Sequence, residues 1–256
     1  MRRCPLSMKV VCAALASLLL SSTPTKAMKP AEPSGEPDTL EYVILLHGLL
    51  RTSYSMRRLE KSLISQDYRV INLTYPSRKQ PIERLAEESL GEAVNRCCQT
   101  PGIKVHFVTH SIGGIIVRYY LQHHDLPNLG RVVMLSPPNQ GTELVDQWGS
   151  NYFLKVFNWP AGLQMGTDAN GISAKLGPVD FELGVIAGSQ SLNPAASRLI
   201  PGLDDGVVSV ERTKVAGMAD FLVVPYSHTF IMTREAVIEQ VIHFLRYGAF
   251  KATAEN

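Results

Sequence analysis

Runs of consecutive apolar residues, each closed by a turn residue, alternate along the chain with segments of helical spacing. YVILLHG at 42–48, YRVINLTYP at 68–76, KVHFVTHS at 104–111, RVVMLSPP at 131–138, FELGVIAGS at 181–189 and FLVVPYSH at 221–228 predict strands. Several are apolar at successive positions, as strands covered on both faces are. Residues 53–65, 81–98, 112–124 and 234–248 carry helical spacing, with Pro81 in a first turn and Gly248 closing the last helix. The order strand, helix, strand, helix predicts an α/β fold, with a mostly parallel sheet flanked by helices.

The alternation lapses at 139–181, after the fourth predicted strand, where scattered Gly and Pro replace any clear strand. Trp148, Tyr152, Phe153, Phe157 and Trp159 fall in this insertion, and Leu144, Val145, Trp148 and Tyr152 have helical spacing. The segment reads as an apolar cap over one rim of the sheet, suited to an acyl chain and to excluding water. Packing of the cap onto the sheet explains the same aromatics equally well.

The chain has 256 residues, 45% hydrophobic and 19% charged, a composition that excludes disorder, collagen-like repeats and coiled coil. Residues 41–250 read as one domain. Formal charge is +2, but Arg2, Arg3, Lys9 and Lys26 stand in an acid-free stretch, 1–27. The rest holds 21 basic against 23 acidic residues, so no basic field is left for nucleic acid. Positive residues, the eleven-residue apolar run Val10–Leu20 and the small residues before Met28 have the order of a secretory signal, cleaved near Ala27. The run is too short to span a bilayer, which takes about 20 residues. An uncleaved anchor is the alternative. Residues 28–40 read as a flexible leader. Export to the periplasm or beyond implies an oxidising compartment. Cys97 and Cys98 are neighbours; their Cα atoms, about 3.8 Å apart, are too close for a relaxed disulfide, so both read as structural thiols near a helix end.

Thr109-His110-Ser111-Ile112-Gly113-Gly114 lies where a buried strand passes into a helix. A serine there is a nucleophile candidate: the turn lifts its hydroxyl above the sheet edge, and small residues after it let strand and helix pass closely. Thr109 stands where such elbows usually carry Gly, and its branched side chain crowds the turn. A helix N-cap is the plain alternative for Ser111. A serine hydroxyl needs a base. Of the seven histidines, His228 follows the last predicted strand, on the rim where Ser111 lies. His110 is expected to point away from the serine, and His106 to face the core. The acid that orients the base is sought in Leu203-Asp204-Asp205-Gly206, with Asp205 favoured, Asp204 second and Asp146 a further candidate. An oxyanion would take the amide of Ile112 and a second from His47-Gly48-Leu49-Leu50, namely Leu49, with His47 supporting that turn.

HGLL at 47–50, THSIGG at 109–114, DDGVV at 204–208 and SHTF at 227–230, in this order, resemble the α/β-hydrolase superfamily, in particular bacterial secreted serine lipases and esterases. The resemblance covers about 41–248. It implies an α/β-hydrolase fold and a triad of Ser111, Asp205 and His228. It implies Leu49 and Ile112 as oxyanion donors. The expected activity is hydrolysis of carboxylic esters with lipophilic acyl groups, without metal or organic cofactor. The expected partners are a small-molecule or lipid ester and, transiently, a lipid surface, but not nucleic acid. An acyltransferase or amidase with the same triad, and a binding or chaperone protein on this fold, remain alternatives.

Overall fold

The computed structural model describes residues 41–97, 102–149 and 159–252. The expected signal at 1–27, the leader at 28–40, Cys98 and the aromatics Tyr152, Phe153 and Phe157 lie outside the described residues, as does the side chain of Trp148. Among the described residues six strands form one sheet: β1 (Tyr42–Leu46), β2 (Arg69–Leu73), β3 (Val105–His110), β4 (Leu129–Leu135), β5 (Leu183–Gly188) and β6 (Asp220–Val224). Their spatial order is β2-β1-β3-β4-β5-β6, and every pairing is parallel. Each crossover therefore returns the chain to the same edge, and all loops after strand ends gather on one rim.

Among the described residues the helices are α1 (Arg57–Ile64), α2 (Ile82–Arg84), α3 (Gly91–Cys97), α4 (Ile112–His123), α5 (Glu143–Gly149), α6 (Pro160–Leu163), α7 (Ile172–Lys175), α8 (Pro194–Ser197), α9 (Val210–Thr213) and α10 (Glu235–Tyr247). A 3₁₀ turn, Ser53–Met56, leads into α1, and a π-helical stretch, Leu85–Leu90, joins α2 to α3. The segment expected as one helix from Pro81 is thus wound three ways, and Pro81 is its extended N-cap rather than a first-turn residue. β4 begins two residues earlier than its apolar run: Leu129 already pairs with Val105, before a register irregularity, without adding a continuous apolar signal.

Alternation within the strands builds two cores. Ile44, Leu46, Val105, Phe107, Val132 and Met134 face one side, against Leu85, Leu90, Ile115 and Ile116. Val43, Leu45, Val108, Val133 and Leu135 face the other, against Leu59 and Leu63 of α1 and Val237, Val241 and Phe244 of α10. Each such fully buried side chain contributes about 1.5–3 kcal/mol. Cys97 is buried in the first core. The insertion between β4 and β5 carries α5, α6 and α7. Arg118, on α4, holds it down. Its buried guanidinium donates to the carbonyls of Asn139, Leu176 and Gly177 at 2.9, 3.1 and 2.9 Å.

Candidate active site

Strand β3 ends at His110, and Ser111 turns the chain into α4 with φ +56° and ψ −127°. A left-handed backbone at a residue with a Cβ is strained, and the strain persists here because the surroundings over-determine it. The Ser111 amide donates to the carbonyl of Leu135 at the end of β4 (2.9 Å). Gly113 lies against β1: a Cβ there would stand 2.9 Å from both the Cβ and the carbonyl oxygen of Leu46. Thr109, expected to crowd the turn, is fully buried without displacing it, and its hydroxyl finds no partner among the described residues.

The loop after β6 brings His228 over Ser111. His228 Nε2 and Ser111 Oγ are 3.0 Å apart, and His228 Nδ1 and Asp205 Oδ2 2.8 Å. An ionised carboxylate only accepts, so Nδ1 carries the proton and Nε2 accepts from the serine hydroxyl. All three residues are buried, with Ser111 6% and His228 8% exposed, which leaves the serine and imidazole reachable from one side. Asp205 Oδ1 accepts the amides of Val207 (2.9 Å) and Val208 (2.8 Å). Burial opposes ionisation of this carboxyl. The charge and ring hydrogen bond of His228, the Val208 amide and the Ser136 hydroxyl outweigh it and hold the pKa below the usual carboxylate range. The other acids are spent elsewhere. Asp204 Oδ1 accepts from Gly206 N (2.7 Å) and Ser197 Oγ (2.8 Å), closing its own turn. Asp146 takes the amide and hydroxyl of Thr167 inside the insertion.

Leu46 pairs with Thr109, so the turn after β1 lies beside the elbow. Gly48 is required there by close approach: a Cβ would come within 2.7 Å of His110 Nδ1 and 3.1 Å of Ser111 Cβ. Leu50, two residues on, has φ +61°. His47 Nδ1 donates to the carbonyl of Gly48 (2.9 Å), and its ring stacks on Tyr75 at 4.0 Å, whose hydroxyl donates to the His47 carbonyl. Burial pushes the His47 pKa down. This turn carries Leu49, and Ile112 begins α4, where an amide has no acceptor within its own helix.

Two participants left no clear signal in the sequence. Ser136, just past β4 with φ +48°, accepts from Gly188 N (3.3 Å) and bonds the Asp205 carboxyl. Nothing but its place at a strand end marks it. His110, expected to point away from the serine, packs against the base. Its Nε2 donates to the His228 carbonyl (2.9 Å), and the two rings lie 4.8 Å apart. The loop after β6 folds back over the elbow, so a side chain on the far side of Ser111 still meets it. Burial, then the charge of His228, keeps His110 well below the usual imidazole range, although the hydrogen bond to His228 works the other way.

Ser111 and His228 open into a cavity of about 580 Å³. Leu49, Ile112, Leu144, Val145, Leu163 and Met165 form much of its wall, so the insertion supplies an apolar roof. That volume lies within the range of small-molecule sites, about 300–1,000 Å³.

Residues 41–196 match the family described as alpha/beta hydrolase fold. The lysosomal thioesterase PPT2 of Rattus norvegicus is 31% identical over an alignment of 154 residues, a match that covers 56% of this chain and 46% of that protein. PPT2 of Mus musculus is 31% identical over 147 residues. The chain spans about half the length of the curated relatives it matches. Among solved structures, the mature lipase BlEst2 of Bacillus licheniformis has a TM-score of 0.64 at 17% identity, covering 83% of this chain and 94% of that one. Phospholipase PlaB of Legionella pneumophila has a TM-score of 0.59 at 19% identity, covering 73% and 53%. At these identities the likeness is one of fold. With the parallel six-stranded sheet and the match over most of it, the chain belongs to the alpha/beta hydrolase fold family.

Proposed function

We propose that this protein is an exported serine hydrolase that cleaves carboxylic esters, thioesters included, with apolar acyl groups. The observation that carries the reading is the hydrogen-bond chain Ser111–His228–Asp205 at the mouth of an apolar cavity. Ser111 Oγ attacks the acyl carbonyl while His228 Nε2 takes its proton. Asp205 holds the imidazole in the Nδ1–H form and stabilises the imidazolium. The amides of Leu49 and Ile112 receive the developing oxyanion. His228 returns the proton to the departing alcohol or thiol. Water then attacks the acyl-enzyme, giving up a proton to the same base, and frees the acid.

The curated relative named a thioesterase supports the inclusion of acyl–sulfur bonds. The apolar roof supports a lipophilic acyl group held at the cavity, with at most transient contact to a lipid surface. The charge and apolar order of residues 1–27 supports export with cleavage near Ala27. The reading is tested with p-nitrophenyl esters of rising chain length. Turnover should rise from acetate to octanoate and fall roughly 10⁴–10⁶-fold in Ser111→Ala. Turnover in Ser111→Ala close to that of the unmodified enzyme would overturn it.

A further inference from the structure

A second cavity, of about 660 Å³, opens next to the first and shares the walls Leu50, Arg51 and Thr229 with it. Its chemistry is the opposite of its neighbour's. Arg51, Arg57, Arg58 and Lys61 line it, and among the described residues no acidic side chain does. The rest of the chain beyond residue 27 carries a slight acid excess, so this cluster is local. Arg57 and Lys61 lie four apart, and Arg58 and Lys61 three apart, on α1, which sets these cations along one stretch of helix surface. Only Arg58 is neutralised, by Glu235 at 3.0 Å. Arg57 and Lys61 have no carboxylate partner among the described residues. Among the described residues, Arg51 donates to the carbonyl of Thr229 (3.4 Å). Two exposed rings, Tyr54 and Phe230, stand in the same cavity.

An acyl group seated under the insertion must send its leaving group out past Ser111. Arg51 and Thr229 border both cavities, so the second one lies in reach of that leaving group. We propose that this basic cavity receives a phosphate-bearing leaving group, so that the substrates of the site are esters or thioesters whose non-acyl half carries a phosphate. This rests on the acyl-cleavage reading above. Guanidinium groups suit phosphate oxygens through paired donors, and an ammonium adds a point charge. The phosphate belongs either to a nucleotide-linked thiol, for which the exposed rings offer a stacking surface, or to a phospholipid headgroup.

The experiment compares four substrates: octanoyl-coenzyme A against octanoyl N-acetylcysteamine thioester, and dioctanoyl phosphatidylglycerol against dioctanoylglycerol, all at low ionic strength. In the unmodified enzyme kcat/KM for at least one phosphate-bearing member should exceed that of its uncharged counterpart. In the double variant Arg57→Glu/Lys61→Glu that ratio should fall by about tenfold or more, mainly through KM, and added salt should erode it in the parent enzyme. The pair whose ratio falls identifies the source of the phosphate. Ratios near one in both pairs, or ratios that the double variant leaves unchanged, would overturn the assignment while turnover of the uncharged substrates keeps the acyl-cleavage reading. No turnover of any of the four would overturn both.

Discussion

Replacing Asp205 with Asn removes a charge while keeping the shape of the side chain. The Asn carbonyl still accepts the amides of Val207 and Val208 through the Oδ1 position, so the loop keeps its anchor. The amide nitrogen then faces His228 Nδ1, now at 2.8 Å from the carboxylate. Two donors cannot share that contact, so the imidazole is driven to the Nε2–H tautomer and can no longer accept the Ser111 proton. The stabilisation of the imidazolium is lost as well. Two unit charges about 3–4 Å apart at an effective dielectric near 20 interact by about 4–6 kcal/mol. That corresponds to roughly 10³–10⁴ in kcat. Asp204→Asn keeps an acceptor for Gly206 N and Ser197 Oγ and should change kcat by less than about threefold. The assay is steady-state turnover of p-nitrophenyl octanoate, with thermal melting to show that both variants fold. An Asp205→Asn enzyme within tenfold of the parent would refute the reasoning. So would an Asp204→Asn enzyme as impaired as Asp205→Asn.

Three further outcomes follow from packing and protonation. Gly113→Ala forces a methyl to 2.9 Å from the Leu46 carbonyl and should cost about 1–3 kcal/mol in urea unfolding, whereas an unchanged midpoint would contradict the close approach. Arg118→Met leaves the carbonyls of Asn139, Leu176 and Gly177 without their buried donor, and should destabilise by about 1–3 kcal/mol; burial lowers the Arg118 pKa to about 10, still charged at neutral pH, and an unchanged stability would place the cation elsewhere. His110 is neutral in the fold with a depressed pKa, so the unfolded chain binds the extra proton; its stability contribution is full above about pH 6.5 and is lost as pH falls toward the folded-state pKa, with a slope up to about 1.4 kcal/mol per unit. Urea unfolding at pH 7.5 and 5.5 should show that slope and its reduction in His110→Gln; equal slopes in both proteins would refute the assignment.

The sheet was legible because its inner strands are covered on both faces. Val43 to Leu46 and Val105 to Val108 have no polar side to dilute the apolar run apart from His106, which is satisfied by Glu41 at 3.0 Å and the Arg131 amide at 2.7 Å. Helix winding was not legible: the apolar spacing from Ile82 to Cys97 fits a regular helix, and no residue announces the π-helical stretch at Leu85–Leu90. The segments bearing Ser111, His228 and Asp205 were readable from their positions after predicted strands, since a parallel sheet collects such loops on one rim. Two adjacent aspartates before a glycine cannot be told apart by pattern. Only the coordinates show that Asp204 turns back on Gly206 while Asp205 reaches His228. Ser136 and His110 act through backbone positions and a returning loop, which local sequence does not encode.

The most direct measurement is mass mapping of the protein after reaction with a fluorophosphonate, which forms a covalent bond only with an activated nucleophile. A single adduct on Ser111, abolished in His228→Ala, is the predicted result. No adduct, or an adduct on another residue with Ser111 untouched, would contradict the assignment of Ser111 as the group that attacks the acyl carbon.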